Sequence, residues 1–518
     1  MSLDEFLKDL HFNIDRANQE NWEPNWEDAP LSYKLYKGLP VVPLSAEVPL
    51  TLSENRLPSK PDLEGIGHFL WYVYGITQLS ESVYPGDDNP VHSYRRFAPS
   101  GGALYPNELY VYLKLDDLTE GVYHYDPSHH RLVLLRTGNF DSYISEALGN
   151  RCDLPSCFGT VFVSTMFWKN FFKYNNFSYR LQGLDAGVLM GQLLETAKRF
   201  GFAAGVYFQY LDSAINHLLG LSEQEESVYS IIPLSVGTTN WALSGEGSPN
   251  YKTAEVLKRE LQPVEFDRIE RSKTVLEFPK LNVINESAML ESAESFNRFS
   301  NNPRNVQGLS EIHLPHAESI EYDLAEVSKK RYSPEMDFVM ARINQQQLAA
   351  LLDGSVSAFT YRNDLDDISY GQENRISIYG CLYNVDGIPN GAYYYNHAEH
   401  RLEGIQEGDH RLLLQSGLSF DNVNLQQVPL CLHVTGNMDL YQQALGYRGY
   451  RILQMEAGML VQRLLLKASA LGLGGHPLLG FDAGMADELY GMNEQTCLIQ
   501  IPIGPFRPKP WLKGSMHS

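Results

Sequence analysis

The feature that most limits what this chain can fold into is a long internal repeat. Gly121-Val122-Tyr123-His124-Tyr125-Asp126 runs on to His130-Arg131-Leu132, and 270 positions later Gly391-Ala392-Tyr393-Tyr394-Tyr395-Asn396 runs on to His400-Arg401-Leu402. At a spacing of 271, Tyr179-Arg180 matches Tyr450-Arg451, Asp185-Ala186-Gly187 matches Glu456-Ala457-Gly458, Gly201 matches Gly472, and Gly220 matches Gly491. Ile232-Pro233-Leu234-Ser235-Val236-Gly237 is echoed by Ile501-Pro502-Ile503-Gly504. A register that holds with one slip over this span means that one structural plan is laid down twice. The 518 residues then form two units of ordinary domain size. Their boundary is expected in the polar stretch Ser244-Gly245-Glu246-Gly247-Ser248-Pro249, giving 1–245 and 246–518.

Within each half the order is a periodic helix, an alternating strand pair, a long helix and a final β-branched strand. Ile66 to Leu79 predicts a helix, and Leu109 to Leu113 and Leu132 to Leu135 predict strands. This order is that of an α+β fold. The long helices, from about Tyr179 to Phe200 and from about Tyr450 to Ala470, interleave Gly183, Ala186, Gly187, Gly191, Ala457 and Gly458 with apolar residues. Small residues let helix backbones approach closely. Two copies of one domain are therefore expected to pack through these helices as an intramolecular pseudo-dimer, with further homo-oligomerisation left open.

Composition removes several partner classes. Lysine and arginine total 41 against 63 acidic residues, a net charge of −22, which gives no footprint for nucleic acid or an anionic membrane. No run approaches the length of an apolar membrane span, and the start lacks a secretory signal. Five cysteines without a Cys-x-x-Cys or a matching His pair suggest neither a disulfide framework nor a metal site. A cytoplasmic location is expected.

The most unusual local string is Arg95-Arg96-Phe97-Ala98-Pro99-Ser100-Gly101-Gly102-Ala103-Leu104-Tyr105-Pro106-Asn107. It offers a turn, a hydroxyl and backbone without side chains in the way of a flat ligand. On its own it reads as a glycine turn, since it has neither Walker nor dinucleotide spacing. Together with Gly121 to Pro127, and with Lys173-Tyr174 preceding Tyr179 to Gly187, it resembles the SagB-type dehydrogenase branch of the nitroreductase-like flavoproteins, which includes azoline oxidases.

That resemblance implies two tandem nitroreductase-like domains with FMN bound between them, each contributing to the other's site. It implies that Pro99, Ser100, Gly101, Gly102 and Ala103 face the cofactor. Lys330-Arg331-Tyr332-Ser333 resembles the family's basic motif, so Lys330, Arg331 and Ser333 are implied on the phosphate side, where a guanidinium fork matches phosphate oxygens. Gly474 and Gly475, within Gly472-Leu473-Gly474-Gly475-His476, occupy the segment whose amide usually faces the flavin N5. Arg507 or Lys509 takes the place of the terminal basic residues. His476 itself reads as a capping or core-edge residue.

The two halves are complementary. The first keeps the glycine string and Lys173-Tyr174 but has only Ser53-Glu54-Asn55-Arg56 where a basic motif would stand. The second keeps the basic motif but has Gln372-Glu373-Asn374-Arg375-Ile376-Ser377 for the glycine string, and Ala444-Leu445 for Lys-Tyr. One composite FMN site per chain is expected, with a decayed twin. Lys173 and Tyr174 are the catalytic candidates: an adjacent ammonium favours the phenolate, and burial lowers the lysine's own pKa. Gly187-Val188 departs from the Gly-His pair common in the family.

The function expected is an FMN-dependent oxidoreductase, a dehydrogenase oxidising an azoline-like heterocycle or another peptide- or amino-acid-derived substrate supplied by a separate protein, with NAD(P)H or oxygen as conceivable redox partners. Alternatives are an NAD(P)H-dependent reductase of nitro, quinone or enone compounds, and a non-catalytic flavin-binding scaffold in a biosynthetic complex.

Overall fold

The computed structural model describes residues 1–53, 55–82, 91–237, 252–298, 308–317, 320–357, 361–366, 374–508 and 512–515. It contains the same sheet twice. In the first half the strand order is Val41–Pro43, Arg131–Thr137, Gly121–Asp126, Asn107–Leu113, Gly159–Met166, Glu226–Ser235 and Ala203–Val206. In the second it is Ser310–His313, Arg401–Glu407, Gly391–Asn396, Ser377–Leu382, Leu430–Gly436, Thr496–Gly504 and Gly474–Gly475. Even the irregularities are duplicated: ladder shifts at Val122/Tyr123 and Val163/Ser164 recur at Ala392/Tyr393 and Val434/Thr435. The α+β expectation holds.

The repeated Tyr/His pattern has a structural origin. Tyr125 Oη lies 2.9 Å from His130 Nδ1, and His130 Nε2 donates to the Ser45 carbonyl at 3.1 Å. Tyr395, His400 and Pro315 repeat this at 2.8 and 3.0 Å. Each histidine thus ties a leading strand to its hairpin.

The halves meet through the helices Ser178–Phe200 and Tyr447–Ala470. Equivalent residues face one another across the contact. Tyr179 stacks on Tyr450 with ring centroids 6.0 Å apart. One residue out of that register, Gln462 Nε2 donates to Gln192 Oε1 at 2.8 Å. Glycine sets the spacing. A Cβ on Gly187 would lie 2.1 Å from the Met455 carbonyl oxygen, and one on Gly458 would lie 2.2 Å from that of Leu184. Around this seam buried charges pair across the halves, Arg448 with Asp212 at 2.6 Å and Arg151 with Asp364 at 3.0 Å.

Four segments cross over, one of them the strand Arg362–Asn363, which pairs in parallel with Ala203–Val206 as an eighth strand of the first-half sheet. The helix Leu3–Phe12 lies against the second-half helix Ala483–Leu489, and the helix Ala254–Lys258 lies against the first-half counterpart, Asp212–Leu219. Near the end of the chain, Leu512–Ser515 pairs with Gln78–Ser82 of the first half. The boundary expected at 245/246 lies outside the described residues. The helix expected from Ile66 to Leu79 is instead Leu63–Tyr74, followed by the strand Gln78–Ser82. Gly75 leaves helical geometry at ψ 156° and stops it. Among the described residues no helix is long and apolar enough to cross a membrane.

The contact predicts a sharp contrast. Gly458→Ala forces the central helices apart and should cost about 1–3 kcal/mol, read as a lowered midpoint in urea or heat. Gly354→Ala, in the helix Gln345–Val356, meets the Cε end of the Lys467 side chain at 2.9 Å, a flexible group that can swing away, and should be neutral or stabilising by up to about 1 kcal/mol. Equal effects would show that the helix contact is not the constraint described.

Candidate functional site

The string at 95–107 folds into a tight, strained loop entering the strand Asn107–Leu113. Gly102 takes φ +63°, and the next residues include Ala103 at +56° and Tyr105 at +50°. Side chains resist such angles, so other contacts must hold the loop. Ser100 does much of this: its Oγ donates to Asp185 Oδ2 at 2.6 Å and accepts from the Tyr105 amide at 2.9 Å. The Gly101 amide donates to Asp185 Oδ1 at 3.1 Å. Arg96 braces the far side, its guanidinium 3.7 Å from the Tyr74 ring centroid and 4.6 Å from that of Tyr105. Asp185, on the central helix, is buried, and burial raises its pKa to about 6 against the pull of those two hydrogen bonds.

The catalytic candidates stand against the same loop. Lys173 and Tyr174 end the helix Trp168–Tyr174, and the chain then turns at Asn175, φ +52°. A Cβ on Gly102 would lie 2.6 Å from Tyr174 Oη and 2.9 Å from Lys173 Nζ, so only glycine leaves room there. The lysine nitrogen sits 4.8 Å from the centre of the Tyr174 ring. Lys173 makes neither a hydrogen bond nor an ion pair among the described residues. Its pKa is lowered by burial, whereas burial, and then the nearby Asp185, raise that of Tyr174. The expected phenolate is thereby corrected. Loss of solvent and the Asp185 carboxyl both hold the tyrosine protonated, and burial makes the lysine the easier group to neutralise.

The second half reaches this loop through Arg331. The helix Leu324–Lys330 ends there, the backbone turning to an extended conformation. Arg331 Nε donates to the Phe97 carbonyl at 3.0 Å, two residues before Pro99. No carboxylate pairs with this half-buried guanidinium among the described residues, and desolvation lowers its pKa to about 10. Behind it the strands close up: the Tyr332 ring stacks on Phe506 at 5.1 Å, and the Gly475 amide donates to the Tyr332 carbonyl at 3.4 Å. A Cβ on Gly474 would lie 2.4 Å from Pro334 Cγ. The Arg507 amide donates to the Asp337 carbonyl at 2.9 Å, and the Arg507 side chain is exposed. His476 Nδ1 accepts the Glu335 amide at 3.2 Å, a bracing contact.

Lys173 and Tyr174 stand against Gly102 and Arg331 bonds Phe97, so all three touch the segment 97–102, with Ser333, Gly474, Gly475 and Arg507 on the segments backing Arg331. Lys330 does not. It is exposed and pairs with Glu326 one helical turn earlier, a favourable Glu-to-Lys spacing that turns it from the loop. Lys509 lies outside the described residues. Sequence reasoning gave no role to Asp185 or to the Phe97 carbonyl. The Asp185/Glu456 correspondence was the available signal for the first; the second is a backbone atom and leaves none.

The equivalent place in the second half is filled. Glu456, the counterpart of Asp185, takes Arg375 Nη2 at 2.7 Å and the Tyr361 hydroxyl at 2.9 Å, and Arg375 also pairs with Asp366. Arg375 is only 1% exposed. A carboxylate that orients a loop in one half is neutralised by an arginine in the other.

The donor set fits a phosphorylated, flat cofactor of the flavin type. Arg331 is a fork without a carboxylate partner among the described residues, and it bonds the same segment that carries the glycines. Residues 382–505 match the family model described as "Nitroreductase family". The chain is 27% identical over 238 residues to the trifolitoxin-processing protein TfxB of Rhizobium leguminosarum bv. trifolii, covering 43% of this chain and 62% of that protein. It is 31% identical over 139 residues to the microcin B17-processing protein McbC of Escherichia coli, covering 26% of this chain and 51% of that one. The chain thus spans between half and two thirds of the length of these two relatives. A crystal structure from Anabaena variabilis named as a nitroreductase superposes with a TM-score of 0.73 at 21% identity, over 98% of this chain and 99% of its own. One segment of the second half thus matches the nitroreductase family model, and the chain shares its fold from end to end with a structure of that name.

Proposed function

We propose that this chain, as two duplicated units 1–245 and 246–518, is an FMN-dependent oxidoreductase of the SagB type with one composite site. Its substrate on this reading is an azoline-like heterocycle, or a similar oxidisable bond, in a peptide or amino-acid derivative that another protein supplies in the cytoplasm. The observation that carries the reading is Arg331 bonded across the halves to Phe97, which puts an uncompensated cation and the Lys173–Tyr174 pair on one loop.

Arg331, with Ser333 two residues on and Arg507 bonded through its amide to Asp337, is suited to hold the phosphate. The flat ring is assigned on this reading to the glycine loop beside Lys173 and Tyr174, and the Asp185–Ser100 hydrogen bond keeps that loop in place. Bound FMN supplies the hydride acceptor that oxidation of an azoline to an azole requires. This chain's own part is the proton. Lys173 Nζ, unpaired and with its pKa lowered, takes it from the substrate carbon; Tyr174, kept protonated, donates a hydrogen bond to the substrate heteroatom and steadies the developing charge. The likeness to two peptide-processing proteins supports a peptide-derived substrate over a free nitro compound or quinone.

Flavin released on denaturation should come to about one FMN per chain, and Arg331→Ala and Ser100→Ala should both weaken that same FMN. Two separable flavins, or an FMN indifferent to Arg331, would sink the composite site. Lys173→Ala and Tyr174→Phe should retain FMN while slowing its reduction by an azoline substrate by about 10²–10⁴-fold.

The pH profile follows from the direction of the lysine shift. A base works deprotonated, so the rate of flavin reduction should rise with pH through the Lys173 pKa, a limb lying below the ordinary lysine value of about 10.4. Lys173→Ala should remove that limb. Its persistence would assign the proton to another group.

A further inference from the structure

The N-terminal segment is strapped over the helix that carries Lys173 and Tyr174. Trp22 sets its ring edge on Phe171 at 5.4 Å and donates through Nε1 to the Phe172 carbonyl at 3.3 Å. Asn176 Nδ2 donates to the Ala17 carbonyl at 2.9 Å, and the Phe177 amide donates to Asn18 Oδ1 at 2.9 Å. Asp28 is anchored in turn by the amides of Lys273 and Thr274, at 2.6 and 2.9 Å. The strap is held on both sides of Trp26.

Trp26 nevertheless stays 54% exposed. Its ring meets Phe172 edge-on at 5.2 Å, and Lys173 Nζ lies 5.6 Å from its centre. The indole N–H has no hydrogen-bond partner among the described residues. A half-exposed tryptophan, fixed by a braced backbone and set beside an unpaired lysine, has the properties of a binding surface for a ring: a large π-face, a free donor and little entropy left to lose.

We propose that Trp26 is a specificity-determining residue of this site, an aromatic platform that stacks the planar heterocycle of the substrate beside Lys173. The inference rests on the proposed oxidoreductase reading and adds to it the residue that selects a flat ring. The same amine then neighbours both Gly102 and Trp26, so a ring lying on the indole presents its edge to Lys173 while remaining next to the glycine loop.

The test uses two planar probes with the full-length, flavin-loaded chain: a 2-phenylthiazole-4-carboxamide, as the product of an azoline oxidation, and nitrobenzamide, as a ligand of a nitro-reducing site. Dissociation constants are measured by flavin difference spectra for the wild type, Trp26→Ala and Trp26→Phe. Expected are about tenfold weaker thiazole binding in Trp26→Ala, substantial recovery in Trp26→Phe, and unchanged FMN content in both. A higher KM with unchanged kcat for the matching thiazoline would agree. If only nitrobenzamide binds, and does so with the same Trp26 dependence, the platform stands and the azoline reading fails. Thiazole affinity unchanged by Trp26→Ala, or no binding of either probe to the wild type, would overturn the platform. Loss of FMN in both variants would also overturn it, by showing that the strap serves folding.

Discussion

Everything in this molecule is arranged around two backbones that come nearly into contact. Gly187 and Gly458 each present a bare Cα to the other helix, and no side chain larger than hydrogen fits between them and the opposing carbonyls. That approach sets the separation of the two sheets, and so the reach that Arg331 must have to bond Phe97. Buried ion pairs such as Arg448–Asp212 then fix rotation about the seam, because a pair of this kind is strongly destabilised when one partner is displaced. Close helix packing fixes distance and buried charge fixes register. A loop and an arginine 234 residues apart in sequence can be held in hydrogen-bonding contact only because both are fixed.

The loop is itself maintained against its own preference. Ala103, Tyr105, Asn175 and Glu335 account for four of the eight non-glycine residues with positive φ among the described residues, and all lie on segments that build the site. Such angles persist where the surroundings over-determine them. Here those surroundings are Asp185 beneath Ser100, Arg96 between two tyrosines, and His476 on the Glu335 amide. The second half uses a similar carboxylate position differently. Glu456 is satisfied by Arg375 and two tyrosines, and its neighbourhood is a sealed polar core.

Much of this was legible in the sequence, because repetition survives as offset identity. The order of elements along each half, the long helices and their glycines, and the complementary differences between halves could all be read from residues 270 or 271 apart. What could not be read falls into kinds. The direction of the Tyr174 shift depends on how much water reaches its hydroxyl, which no adjacent residue reports. The plug at Arg375 depends on a partner 81 positions away. The crossing of Leu3–Phe12 and Ala254–Lys258 to opposite halves obeys no local pattern. Two misreadings did have a local signal: Glu326 four residues before Lys330 marks a helix-surface pair, and Gly75 marks the end of the helix begun at Leu63.

Joining both halves in one chain changes what a single substitution does. In an assembly of two identical subunits, an arginine introduced at the position of Arg375 would enter both sites at once, and the change that sealed one cleft would seal its twin. Here each position is encoded separately. Arg375 pairs with Glu456 and Asp366 in one half, while in the other Asp185 holds the Ser100–Gly101 turn and Arg331 bonds Phe97 across the halves. The freed half can be reshaped as support, its former cleft filled with paired charge, so that inheritance of one gene carries two divergent roles for what began as one surface.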